Sequence, residues 1–82
     1  MLRTYVDGAK EIDVDGSTLR QVLDAVRERS PALERRLRDE RGELRRYVNF
    51  YVEGDECRIL DGQDTPVGAR TEVMIIPAVA GG

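Results

Sequence analysis

Histidine is absent from this 82-residue chain, cysteine occurs once, at Cys57, and lysine once, at Lys10. Each scarcity closes a class of function. Without histidine and with a single thiol, a Cys/His metal centre has no ligand set. Serine–histidine and cysteine–histidine nucleophile pairs are excluded for the same reason. One cysteine cannot close an intramolecular disulfide. No apolar run approaches the ~20 residues that span a bilayer. No basic start, apolar stretch and small-residue cleavage site follow one another as in a secretion signal, so the cytoplasm is the expected compartment. Acidic residues number 16 against 13 basic ones, mixed along the chain, for a net charge of −3. That balance supports solubility and argues against a nucleic-acid partner or a membrane surface. All the basic residues but Lys10 are arginine, a bias that genomic base composition accounts for and from which no function is drawn.

What is present is enough for one small domain. The composition is 40% hydrophobic and 35% charged, which is neither that of a disordered chain nor that of a membrane protein. "LRTYV" (2–6) reads as a short strand, and Asp7-Gly8 after it is a hairpin signal because glycine accepts the positive φ of tight turns. "AKEIDV" (9–14) is its partner, with Ile12 and Val14 on one face, and Asp15-Gly16 is read as the next turn. In "STLRQVLDAVRER", Thr18 is a candidate N-cap and Gln21 completes a capping box. Leu19, Val22, Leu23 and Val26 then fall on one helical stripe that needs a sheet to cover it. Ser30-Pro31 ends that helix, because the residue before proline avoids helical geometry. "PALERRLRDE" gives a shorter helical segment with Leu33 and Leu37 inward.

Strand chemistry returns in "RRYVNFYVEGDE". Val48, Phe50 and Val52 alternate with Tyr47, Asn49 and Tyr51, and Gly54 sits in the following turn. Parity puts Val48, Phe50 and Val52 against the helix and leaves Asn49 and Tyr51 on the opposite face. "CRIL" (57–60) is read as a brief strand with Cys57 half-buried, "DGQDTPVGAR" as a turn-rich connection and "TEVMIIP" as the last strand. The expected class is α+β, a small mixed sheet packed on one main helix. The run "ERRLRDERGELRR" (34–46) holds six arginines and four acids. It is read as a solvated, salt-bridged face, with a dock for an acidic partner as the alternative.

The chain finishes "IIPAVAGG". A glycine pair at a free end contributes little to folding, since glycine loses the most backbone freedom on ordering. A frayed end is one explanation. The other is that the Gly82 carboxylate is the reactive group and residues 77–82 its delivery arm, with residues 1–76 as the domain.

This element order with a Gly-Gly end resembles the β-grasp (ubiquitin-like) fold of the bacterial sulfur carriers, the ThiS/MoaD-like family. The resemblance is carried by "LRTYVDGAKEI", "RRYVNFYVEGDECRIL" and "VMIIPAVAGG", and covers nearly the whole chain. "Val-Asn-x-Tyr-Val" followed by a strand running into "Pro-Ala-Val-Ala-Gly-Gly" is similar to the cysteine-synthesis branch. The thiamin branch lacks the extra "PALERRLRDERGELRR". Members of the matching branch carry several more residues before "LRTY" as a first, central strand, with "LRTYVDG" in the turn after it. The first strand is therefore expected to be short or missing. Leu2–Val6, a misassigned start or a second molecule would have to supply it.

The resemblance implies a protein co-substrate and not an enzyme, with no bound cofactor and no metal. A ubiquitin-activating-enzyme-like partner would use ATP to adenylate Gly82, and a sulfur donor would displace AMP to leave a thiocarboxylate for a sulfur-accepting biosynthetic enzyme. Gly81 and Gly82 lack the Cβ that would crowd a narrow channel, Pro77 stiffens the exit, and Ala78, Val79 and Ala80 are small enough to follow. Asn49, Tyr51 and Ile59 are the candidate partner-binding residues. Two other functions remain open: the small subunit of molybdopterin synthase, and a protein modifier joined to other proteins through Gly82. An inert interaction module is the third. Cys57 is assigned a structural place ahead of a sulfur relay, since no activating base lies nearby in sequence.

Overall fold

The computed structural model describes residues 2–6 and 10–77; the Asp7-Gly8 turn and residues 78–82 lie outside the described residues. Strand β1 (Leu2–Val6) pairs antiparallel with β2 (Lys10–Val14), and helix α1 (Leu19–Arg29) follows. A second helix, α2 (Pro31–Leu37), leads through a long connection to β3 (Val48–Val52) and the two-residue β4 (Asp55–Glu56). Two 3₁₀ turns, at 57–59 and 62–64, precede β5 (Glu72–Pro77). The sheet order is β2-β1-β5-β3-β4, with β1 and β5 parallel and the other neighbours antiparallel. This is the expected α+β arrangement of a mixed sheet and a main helix.

Leu2–Val6 is itself the first strand, and it lies inside the sheet. It bonds to β2 on one side and to β5 on the other, so the strand expected to be short or missing is short and in place, and does not lie in a turn. Five residues suffice because β5 needs only the register Arg3 to Val6 opposite Glu72 to Ile75.

Helix α1 begins as its sequence dictates. Thr18 is extended at φ −138° and ψ 162°, and its hydroxyl accepts from the Gln21 N–H at 3.2 Å. The return arm of the box lands one residue early: the Gln21 side-chain oxygen Oε1 accepts from the Ser17 N–H and hydroxyl, each at 2.8 Å. Gly16 serves packing and not turn chirality. A Cβ there would lie 2.9 Å from the Val22 backbone nitrogen, so only glycine lets the chain pass this close to the helix. Leu19, Val22, Leu23 and Val26 are all buried and form one cluster with Val14, Leu33, Leu37, Val48, Phe50, Val52, Val67, Val73 and Ile75. Ser30 closes α1 through its N–H to the Val26 carbonyl, and Pro31 opens α2 at its first position.

Two sequence readings need correction. "CRIL" is a 3₁₀ turn and not a strand: the Leu60 N–H reaches back to the Cys57 carbonyl at 2.9 Å, and Cys57 is fully buried in the core cluster. The two-residue β4 already ends the pairing with β3, so the chain turns inward instead of extending. The 34–46 run is not simply a solvated face. Arg38 and Glu34 are buried and joined at 2.7 Å, a placement the charge pattern conceals.

Candidate functional site

The tail begins at β5, so the site is built from that strand outward. Val73 and Ile75 point into the core, while Glu72 and Ile76 are exposed and Met74 half-buried on the other face. On β3 the same alternation buries Val48, Phe50 and Val52 and leaves Asn49 and Tyr51 half-buried on the outer face. Register brings the two outer rows together, with Tyr51 opposite Met74, Asn49 opposite Ile76 and Val48 opposite Pro77. Pro77 is thus the last residue of a strand held between β1 and β3, and the next residue starts the tail.

The outer face carries a shallow groove of about 300 Å³ lined by Tyr51, Gly54, Glu72, Met74 and Ile76. Its end is shaped by the β3–β4 turn, where Glu53 (φ 51°) and Gly54 (φ 87°) both occupy the left-handed region. Two consecutive positive φ values make the two-residue hairpin turn whose twist matches the strands. Glu53 tolerates this strained backbone while its own N–H donates to the Glu72 carbonyl at 3.0 Å, tying the turn to the start of β5.

Of the predicted partner-binding residues, Asn49 and Tyr51 share this face, beside the strand that carries the tail. Ile59 does not line the groove. It stands 77% exposed on the first 3₁₀ turn, next to exposed Leu60. Ala78, Val79, Ala80, Gly81 and Gly82 lie outside the described residues.

Sequence reasoning missed Arg58, which secures the strand opposite the tail. One guanidinium nitrogen donates to the Val48 carbonyl and to Glu56, both at 3.1 Å. The other donates to the Arg45 carbonyl at 2.9 Å, and the group sits 6.0 Å from the Phe50 ring centroid. Val48 is the residue in register with Pro77, so this side chain steadies the neighbour of the tail's base. No local pattern announced it, because the segment read as a strand.

Burial, reinforced by the Glu56 carboxylate, pushes the Cys57 thiol up to about 11, so it stays protonated at neutral pH. Among the described residues, no group of three or more His, Cys, Asp or Glu side chains could hold a metal ion. No helix among them is long and apolar enough to cross a membrane. A second cleft, about 400 Å³, lies among α1, α2 and the 39–42 loop. Its floor is the Arg38 network: Glu34 at 2.7 Å, Asp24 at 2.8 Å and the Gln63 side-chain carbonyl at 3.1 Å.

Known proteins share this architecture. The sequence model of the ThiS family matches residues 2–82. The chain is 34% identical over 84 residues to the sulfur carrier protein CysO of Mycobacterium tuberculosis, covering 100% of this chain and 90% of that protein. A protein of Archaeoglobus fulgidus described as a sulfur carrier is also 34% identical, over 76 residues, covering 92% and 85% of the two chains. Among solved structures, a chain of the Amycolatopsis orientalis BexX/CysO complex superposes with a TM-score of 0.87 at 28% identity, with both chains covered completely. The small archaeal modifier protein 1 of Methanosarcina acetivorans superposes with a TM-score of 0.81 at 26% identity, covering 99% and 95%. A β-grasp fold, a tail that continues a doubly bonded strand, and relatives matched from end to end have one meaning together: the chain belongs to the ThiS family of sulfur carriers.

Proposed function

We propose that this protein carries sulfur as a thiocarboxylate on Gly82 and delivers it to cysteine synthesis or to a specialised sulfur metabolite. A ubiquitin-activating-enzyme-like partner binds ATP and adenylates the terminal carboxylate, which is a poor electrophile until it becomes a mixed anhydride. A sulfur donor then displaces AMP, and a biosynthetic enzyme accepts the sulfur. The carrier contributes no base, metal or cofactor of its own, and the cycle runs in the cytoplasm.

The observation that carries this reading is the base of the tail. β5 is bonded on both sides as far as Ile75 and to β3 as far as Pro77, opposite a strand fixed by Arg58. A rigid base with a short, small-residue extension suits delivery of a carboxylate to within ~3–3.5 Å of an α-phosphate. The outer face of β3 and β5, with Asn49, Tyr51, Met74 and Ile76, is the surface offered to partners. It is partly apolar and includes the strand that leads to the tail, as a docking surface needs to. The similarity to CysO favours cysteine synthesis, and the Amycolatopsis complex of a CysO with BexX supports delivery by docking on a partner protein.

A modifier role is the alternative, supported by the likeness to small archaeal modifier protein 1. Intact mass spectrometry of protein isolated from its own cells separates the two. Replacement of one terminal oxygen by sulfur marks the carrier; protein-sized adducts through Gly82 mark the modifier. An extra alanine after Gly82, or a bulky residue at Gly81, is expected to abolish ATP–pyrophosphate exchange with the activator and leave the melting curve unchanged. Exchange that persists with the extended tail overturns the proposal.

A further inference from the structure

The charged run 34–46 is a sequence motif to which the carrier chemistry gives no role. Helical spacing explains where its first side chains go. On α1, Arg20, Asp24 and Arg27 fall at i, i+4 and i+7, beside the buried stripe. On α2, Glu34, Arg35 and Arg38 follow Pro31 at i+3, i+4 and i+7. The two rows and the 39–42 loop line the cleft of about 400 Å³ described above, a volume typical of small-ligand sites. The cleft lies on the helix side of the sheet, away from the outer face of β3 and β5.

Its acidic and basic groups are not engaged equally. Arg38 at the floor, 4% exposed, occupies one oxygen each of Glu34 and Asp24. Asp39 accepts the Arg41 and Glu43 N–H groups through one oxygen. Arg20 is held by Asp64 at 3.1 Å. Among the described residues, neither Arg27 nor Arg35 has a side-chain hydrogen bond or a carboxylate within ion-pair reach. Arg41 comes only within 4.0 Å of Glu43, with both side chains exposed. Exposed Glu40 is the one lining carboxylate with no such contact among the described residues. Three guanidiniums thus stand against one carboxylate, over a floor whose own cation is already paired.

That surplus calls for an anion. A carboxylate brings two oxygens and one charge, which a single guanidinium fork satisfies. A phosphate group brings at least three free oxygens and a charge of about −1.5 to −2, and takes several forks at once. A nucleic acid does not fit a cleft of this size, and the net charge of −3 opposes a polyanion.

We propose that the cleft between α1 and α2 binds a small phosphate-bearing molecule, with Arg27, Arg35 and Arg41 as its anion ligands. Arg38, fixed by its three side-chain partners, is the rigid floor behind them. The cleft and the outer face lie on opposite sides of the sheet, so ligand and partner protein can be held together.

The test titrates the full chain, labelled with ¹⁵N, and follows its amide and arginine Nε–H signals by NMR. The probes are inorganic phosphate, glycerol phosphate and glutarate, a carboxylate dianion, each at ionic strength held constant with sodium chloride. Saturable shifts are expected at residues 39–42 and at the side chains of Arg27 and Arg35. Phosphate compounds should bind about tenfold more tightly than glutarate, and Arg27→Gln and Arg35→Gln should each weaken them about tenfold. Arg70→Gln, exposed and outside the cleft, should change nothing. The spectrum of each free variant shows whether it is folded, and Arg27→Lys or Arg35→Lys, which keeps the charge and loses the fork, serves if it is not. Tighter binding of glycerol phosphate names an ester as the ligand, and tighter binding of inorganic phosphate names the free anion; both support the site. Shifts that never saturate, the same shifts from chloride, or affinities that neither arginine replacement alters would overturn it. Glutarate binding as tightly as phosphate would also overturn it, in favour of an acidic protein segment. None of these outcomes bears on the chemistry of Gly82, which the mass of the cellular protein decides separately.

Discussion

Helix α1 meets the sheet through Leu19, Val22, Leu23 and Val26 against Val48, Phe50, Val73 and Ile75, an apolar seam with all eight side chains buried. Helix α2 and the connection that follows it are held differently. Arg38, buried at 4% exposure, donates to the Glu34 and Asp24 carboxylates and to the Gln63 side-chain oxygen, and the Gln63 amide in turn donates to the Gly42 carbonyl at 2.8 Å. The first seam is non-directional and scales with the area removed from water. The second depends on several partners being present at once, since a buried charge is tolerated only while it is paired. One small domain thus uses two kinds of cohesion: bulk burial where the tail-bearing strand must be rigid, and directed polar contacts where a long irregular connection must be held.

Removing the centre of the apolar seam has the largest expected effect. Phe50→Ala deletes a fully buried ring and should cost about 3–5 kcal/mol, measured by urea unfolding. A loss under 1 kcal/mol would show that the seam does not carry the fold. Breaking the charged seam comes next. Arg38→Ala strands Glu34, itself nearly buried, and should cost about 3 kcal/mol. The pair Arg38→Met with Glu34→Leu sharpens the comparison: because it removes both charges together, its stability should return close to that of the parent. If the double replacement stays as damaging as the single one, the network is doing more than neutralising a charge.

A smaller effect has the opposite sign. The Thr4 hydroxyl is buried on β1 without a hydrogen-bond partner among the described residues. Thr4→Val should therefore raise stability by about 1 kcal/mol, and a fall would show that the hydroxyl is satisfied in solution. The smallest effect concerns pH. The Glu43 and Arg41 N–H groups donate to one Asp39 oxygen at 3.0 and 2.9 Å and hold its carboxyl below the ordinary 3.8. A carboxyl lowered by folding adds stability above its ordinary value and loses it as pH falls through the folded one. Asp39→Asn should thus flatten the loss of stability below pH 3.8, and an unchanged acid limb would remove Asp39 from the account.

The elements that local chemistry writes plainly were legible. The Thr18 cap, the α1 stripe, the Ser30-Pro31 break and the β3 alternation each follow from propensity or periodicity. So did the faces of β3, and with them the shared surface of Asn49 and Tyr51. The polar anchors were not. Arg38 looks in sequence like any other arginine in a charged run and Arg58 like a residue of a strand, and what anchors each guanidinium includes partners 10 to 25 positions away. The start of the chain misled in the other direction. By comparison with the branch it resembles, the first strand is expected to be short or missing and "LRTYVDG" to lie in the turn after it. Yet five residues are enough when both neighbours pair with them.

Local order, the amphipathic helix and a tail of small residues ending in two glycines were set by the sequence alone, because they depend on neighbours within a few positions. The tertiary structure decided which strands lie inside the sheet, that Arg38 is buried, and that Asn49 and Tyr51 flank the strand that ends at Pro77. Those facts come from strand pairing between distant segments, and register is a property of two chain segments that neither encodes by itself.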